Sequence, residues 1–177
     1  MTVHIVITGH QAGKTWLYEK VGRKGRKKLV PTYHANIEKP DGSLFWFAVT
    51  RDSARIVFGT ETERFLFGGE CPPSKQANPY FAKHQKAPRN GDCLLVFEDH
   101  RGEGYVLCGT ESVERRSILI HAAPASSLGC FGVAGGTYGY KNFWRELCAV
   151  TDNFASESDI RVHVEPRPVS HHNRHLA

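Results

Sequence analysis

The 177-residue sequence has one methionine, at position 1, and no apolar run near the roughly 18 residues a membrane-spanning helix requires. That argues against membrane insertion through helices. The opening Met1-Thr2-Val3-His4-Ile5-Val6-Ile7-Thr8 has no basic segment, and its apolar stretch is too short for a secretory signal peptide. The expectation is a protein made in the cytoplasm that leaves only by a route reading no such peptide. Cysteine is scarce and odd in number: Cys71, Cys93, Cys108, Cys130 and Cys148. An odd count excludes a closed disulfide framework and leaves two bridges plus a thiol, or five thiols. By default such cysteines are small core hydrophobes. Internal repeats and low-complexity tracts are absent, and helical periodicity is rare. Helix-rich and doubly wound folds are therefore poor fits.

Hydrophobic residues make up 40% and charged residues 23%, close to the soluble average, so most of the chain can fold. The length suits one domain, over residues 1–165, followed by a loose Pro- and His-bearing tail over 166–177. Lys and Arg number 23 against 18 Asp and Glu, a net +5. Such a balance favours acidic partners and says nothing about fold. Short runs rich in Val, Ile, Phe, Trp and Tyr recur between turn signals, at 3–8, 15–19, 44–50, 54–58, 64–67, 93–98, 104–108, 117–121 and 159–165. Their length and composition predict strands. Strict alternation in 159–165 predicts a half-buried strand. One segment has helical spacing, with Tyr140, Phe143, Trp144, Leu147, Cys148 and Val150 on one face and Lys141, Arg145 and Glu146 on the other. Thr137, after Gly135-Gly136, is its predicted N-cap. Residues 68–88, rich in Pro and polar residues, read as a long loop. The predicted class is a β-rich α+β domain.

Three patterns suggest chemistry and fall short of it. Gly9-His10-Gln11-Ala12-Gly13-Lys14-Thr15 follows a strand, as a phosphate loop does, but its glycines stand one residue too close and no helix follows. A hairpin turn is the better reading, and an NTPase is disfavoured even though Leu94-Leu95-Val96-Phe97-Glu98-Asp99 imitates an acidic partner strand. Residues 20–28 carry six cations, Lys20, Arg23, Lys24, Arg26, Lys27 and Lys28. They read as a solvated hairpin tip, or as a contact for a polyanion such as cell wall or nucleic acid. Few aromatics interleave them, so no base-stacking platform is evident. His171, His172 and His175 lack the helical support that would align them on a metal.

The segment with the most chemical content runs Arg115-Arg116-Ser117-Ile118-Leu119-Ile120-His121-Ala122-Ala123-Pro124-Ala125-Ser126-Ser127-Leu128-Gly129-Cys130-Phe131-Gly132. A buried-type strand delivers a histidine to its end, a loop of small residues follows, and a cysteine stands directly after a glycine. A cysteine attacks as its thiolate and needs a nearby base or cation. A strand-end histidine is held rigidly enough to be one. Gly129 leaves the thiol unobstructed, and its turn can aim backbone N–H groups at an oxyanion. On spacing alone, a core histidine and a buried cysteine remain the default.

Residues 118–132 resemble the catalytic segment of the L,D-transpeptidase (YkuD-type) family, a strand-end His, a loop, then Ser/Thr-His-Gly-Cys. Here the second part is Ser127-Leu128-Gly129-Cys130. Leu128 replaces the inner histidine and the loop is shorter than in housekeeping members, which is closer to the type VI secretion effector branch. The looser likeness extends upstream through Pro88-Arg89-Asn90-Gly91-Asp92-Cys93, similar to a Pro-x-Gly-x-Tyr strand start with Cys93 in place of Tyr. His precedes Cys along the chain, the reverse of papain-like amidases.

The resemblance implies an L,D-transpeptidase-like β-sandwich or barrel with one helix after the catalytic segment. It implies a Cys130 nucleophile and a His121 base acting on peptidoglycan tetrapeptide stems, as transpeptidase or L,D-carboxypeptidase. Gly129 and Cys130 N–H groups would hold the oxyanion. Ser127 or Ser126 would orient the imidazole or line the site, and Arg115, Arg116 or Arg89 would bind a substrate carboxylate. No metal or organic cofactor is required. The branch further implies an antibacterial toxin delivered to a target cell's periplasm, an immunity protein as partner, a monomeric state and no nucleic-acid partner. The alternative is a non-catalytic basic module that binds a polyanion through residues 20–28.

A separate expectation needs no family. If 93–98 and 104–108 form a hairpin around His100-Arg101, Cys93 faces Cys108 with Cα atoms about 4.5–5.5 Å apart, within disulfide range.

Overall fold

The computed structural model describes residues 2–21, 24–51, 55–57, 64–66, 71, 73–74, 78–88, 90–98, 105–108, 113–116, 118–123, 130–154 and 159–167, with backbone alone for 17–28, 55–57, 64–66, 105–108 and 113–116. Within these residues are twelve strands and one α-helix. The strands are β1 (Thr2–Val21), β2 (Lys24–Glu38), β3 (Leu44–Thr50), β4 (Arg55–Val57), β5 (Arg64–Leu66), β6 (Tyr80–Ala87), β7 (Gly91–Phe97), β8 (Tyr105–Cys108), β9 (Val113–Arg116), β10 (Ile118–Ala122), β11 (Phe131–Val133) and β12 (Asp159–Val164). The helix α1 covers Gly136–Val150. Eight strands close into a barrel in the order β1-β12-β6-β7-β10-β11-β3-β2, while β4–β5 and β8–β9 form separate two-stranded ribbons. Most barrel neighbours are antiparallel. The β1–β12 and β10–β11 pairs are parallel.

Period-two alternation builds the core. Val3, Ile5 and Ile7 of β1, Ala35 and Ile37 of β2, Leu94 and Val96 of β7, Ile118 and Ile120 of β10, and Ile160, Val162 and Val164 of β12 belong to one buried cluster. α1 adds Phe143 and Leu147 to it, with Phe143 against Phe47 of β3 at a ring separation of 4.7 Å. On its outer side Glu146 pairs with Lys39 at 2.7 Å. The predicted helix is therefore present with its apolar face inward, and the strand-rich class with one helix holds.

Several local expectations are corrected. Gly9 to Lys14 forms no hairpin turn, because β1 continues through it and the register against β2 shifts between Ile7, Gln11 and Gly13. A strand taking extra residues bulges instead of turning. Gly9 is explained by close approach, since any Cβ there would collide with the carbonyl oxygen of Pro166. The run 15–19 is thus part of β1, and the hairpin reverses between Val21 and Lys24, at the basic run.

Residues 80–87 of the expected loop form β6. The strands β2, β9 and β11 were also not expected. The helix starts two residues earlier than a Thr137 cap requires. Its N-cap is Gly135, at φ 92°, a left-handed conformation that glycine adopts without strain. Cys93 and Cys108 lie on different sheets: β7 pairs with β6 and β10, and β8 pairs with β9. Among the described residues β7 and β8 do not pair, and the expectation that Cys93 faces Cys108 is overturned. Both edges of β7 are taken by barrel neighbours, β6 and β10, which leaves no edge for β8 to pair with. Residues 168–177, and with them the histidines of the tail, lie outside the described residues.

Candidate active site

Strand β10 is the centre of the catalytic segment. It lies antiparallel to β7, with Leu119 opposite Leu95 and Ile120 opposite Leu94. On its other side it runs parallel to β11, with Ile120 beside Phe131 and His121 beside Gly132. Ile118, Ile120, Phe131 and Val133 point into the core cluster. Alternation then puts Leu119, His121, Cys130 and Gly132 on the opposite, outward face. Cys130 immediately precedes β11 and stands level with Leu119, whose backbone N–H donates to its Sγ at 3.4 Å. The chain thus brings the sequence-predicted histidine and cysteine to one face of two adjacent strands, staggered by one two-residue step.

Gly132 is the small residue that this packing needs. A Cβ there would lie 2.9 Å from Thr50 Oγ1, which accepts the Gly132 N–H at 3.0 Å. β11 can therefore sit tightly between β10 and β3 beside the imidazole.

His121 is 2% exposed. Its Nδ1 lies 2.9 Å from the Ala122 carbonyl oxygen, a contact in which Nδ1–H donates. That bond fixes the ring and leaves Nε2 with its lone pair. Burial pushes the His121 pKa below its ordinary value, and the Ala122 bond opposes the shift only in part. A neutral imidazole is a base ready to accept a proton.

The cysteines differ in environment. Cys130 is half-buried, whereas Cys71 and Cys93 are buried. Cys93 stands one residue before Leu94 and shares a small apolar cluster with Ala87, Leu119, Leu95 and Cys130. Its thiol donates to Gln85 O at 3.3 Å. Burial pushes the Cys93 thiol pKa up, and the nearness of Cys130 and Asp92 adds to the rise. Cys148 is pushed up as well, by burial and then by Asp92. Cys93 is thus a protonated thiol beside the site. The sequence placed it opposite Cys108, within disulfide range, and no sequence signal pointed to a position beside Cys130. Behind it, the Tyr140 hydroxyl of α1 donates to Asp92 O, tying the helix to the start of β7.

Not every predicted site residue can be placed. Ser126, Ser127, Gly129 and Arg89 lie outside the described residues. Arg115 and Arg116 fall on β9, where Arg115 pairs with Val106 and Arg116 with Tyr105 in the ribbon off the barrel. Gly9 to Thr15 lies within β1, so it forms neither a phosphate-cradling loop nor the start of a helix. Among the described residues no group of three His, Cys, Asp or Glu is arranged to hold a metal ion.

A second polar feature was not anticipated. A groove of about 750 Å³ on the outside of β1 and β12 is lined by His4, Glu38, Ser74, His163 and Glu165, among others. His4 Nδ1 and His163 Nε2 lie 2.9 Å apart across it. The strict alternation of 159–165 predicted a half-buried strand, and His163 falls on its less buried positions.

In comparisons with known proteins, no family model, no curated protein and no solved structure matches the chain.

Proposed function

We propose that the chain is a cysteine-dependent L,D-transpeptidase or L,D-carboxypeptidase acting on peptidoglycan tetrapeptide stems. The observation that carries the reading is the shared outward face of His121 and Cys130 on neighbouring strands, with the imidazole fixed through Nδ1 and the thiol the more accessible of the pair. The resemblance of residues 118–132 to the family's catalytic segment supplies the substrate class.

In this mechanism His121 Nε2 takes the Cys130 proton as the sulfur attacks the carbonyl of the third stem residue. A C–S bond forms, the carbonyl becomes an oxyanion, and backbone N–H groups of Gly129 and Cys130 hold it. Collapse breaks the amide bond to the terminal D-alanine, whose nitrogen takes the proton back from His121. Water, a free D-amino acid or a second stem then attacks the thioester and releases the thiol. All three outcomes conserve atoms and need no oxidant. The L,D-transpeptidase fold, toxin delivery into a target periplasm and pairing with an immunity protein are parts of the same proposal.

The test is mass analysis of purified disaccharide-tetrapeptide after incubation with the protein. Loss or exchange of D-alanine, absent with Cys130→Ala, is the expected result. A substrate unchanged by the wild-type chain contradicts the proposal.

A further inference from the structure

The β1–β2 hairpin extends well past the barrel. β12 pairs with β1 only over Thr2 to Ile7, and β3 pairs with β2 only over Thr32 to Glu38. From Lys14 opposite Pro31 to Val21 opposite Lys24, the two strands pair only with each other among the described residues. At about 3.4 Å per residue this ribbon is about 27 Å long. A two-stranded ribbon standing alone is marginally stable in water and leaves two open edges. Among the described residues no third strand pairs with this stretch, so its faces and edges are the part of the described fold left to meet a partner.

The register shows what the ribbon offers. Trp16 and Tyr18 occupy alternate positions of β1, so they belong to one face, as do Lys14 and Lys20. Their partners across the ribbon are Leu29 for Trp16 and Lys27 for Tyr18. Trp16 is 54% exposed and Leu29 43% exposed. In register, the hairpin thus sets the aromatic positions 16 and 18 between the cationic positions 14, 20 and 27, an interleaving that the linear run 20–28 lacks. Two aromatics on one face lie about 6.8 Å apart, two strand residues.

We infer that this arm is a binding surface for single-stranded nucleic acid, with Trp16 and Tyr18 as base-stacking positions and Lys14, Lys20 and Lys27 as phosphate contacts. Stacking on a strand face flanked by cations tolerates any base sequence. A second copy of the chain fits poorly, because the two arms would repel. An acidic polypeptide matches the charge but has no base faces for the aromatic pair.

The test is fluorescence anisotropy of the full chain with a labelled 20-mer of thymidylate, with polyglutamate and a 20-base-pair duplex as competitors. The 20-mer is expected to bind at 50 mM salt and to bind about 10- to 100-fold more weakly at 200 mM, the range for three to five contacted phosphates. Trp16→Ala is expected to weaken binding about 5- to 100-fold, the range for one lost base stack. Lys20→Glu/Lys27→Glu should weaken it at least as much, with circular dichroism unchanged in both variants. Both sets of positions lie away from β10 and β11, so D-alanine release from the stem peptide is unaffected. No binding at 50 mM salt, binding that Trp16→Ala leaves unchanged, or equal competition by polyglutamate or the duplex overturns the inference.

Discussion

The protonation state of His121 decides how the thiol works. A histidine whose pKa is lowered by burial is neutral at pH 7 and acts as a base during attack, in contrast to a resting imidazolium–thiolate pair. Protonation removes that base, so turnover of the stem peptide should fall below about pH 6.5, and the acid limb of kcat should lie below the ordinary histidine value. A limb centred above pH 7 contradicts the assignment. The two neighbouring thiols give a second prediction. Iodoacetamide in brief exposure should alkylate Cys130 ahead of Cys93, because Cys93 is 0% exposed and its thiol is held protonated. Peptide mass mapping reads the order directly. Cys93→Ala should keep activity within a few-fold, while Cys130→Ala loses it.

At the scale of elements, the strands with a two-residue rhythm and the one amphipathic helix were legible from sequence. β10, β12 and α1 follow from their own side chains. β2 was hidden because its cationic first half looks like solvated loop, and β6 because Lys83, His84 and Lys86 dilute its apolar positions. Such strands are specified by their neighbours: Ala35 and Ile37 matter once β1 and β3 flank them, and Tyr80 and Ala82 once β7 and β12 do. The placement of His121 was legible because a buried strand carries it. The side of Cys130 was not, since β11 pairs in parallel with β10 across a loop and no local pattern announces a parallel rung. The Gly9 and Cys93/Cys108 expectations failed for a common reason, that local turn logic was overruled by contacts from the far end of the chain and from the barrel. Leu147 is fully buried where α1 meets the barrel. Leu147→Ala should therefore lower unfolding stability by about 2–5 kcal/mol, measured by urea titration. A loss under 1 kcal/mol would mean that the helix is not part of the cooperative core.

For the molecule as a whole, barrel closure depends on joining the first strand to the last. β1 and β12 pair in parallel, and Arg51, 4% exposed, ties the junction by donating to Thr8 O at 2.8 Å and Glu165 O at 2.7 Å. Arg51→Met leaves both carbonyl oxygens without this donor and should cost about 2–5 kcal/mol in the same titration. The His4–His163 pair lies along the same seam, with Glu38 and Arg161 nearby. Burial, then the His4 charge, pushes His163 below its ordinary pKa, with Glu38 opposing. The folded chain therefore binds fewer protons than the unfolded chain in mild acid. Stability is fully present above about pH 6.5 and is lost as pH falls through the lowered values of His163 and His121. Thermal midpoints should decline from pH 7.5 to pH 5, and His163→Gln should reduce the decline. A midpoint that rises over that range contradicts the sign.

The thioester is the step on which the enzymatic reading turns. Intact-protein and peptide mass spectrometry of the chain quenched in acid during turnover of disaccharide-tetrapeptide should find an acyl adduct, the stem lacking its terminal D-alanine, on the peptide containing Cys130. The adduct should be absent in Cys130→Ala and reduced in His121→Asn. D-alanine release by the Cys130→Ala variant, or an adduct carried by Cys93 or Cys148 in place of Cys130, contradicts it.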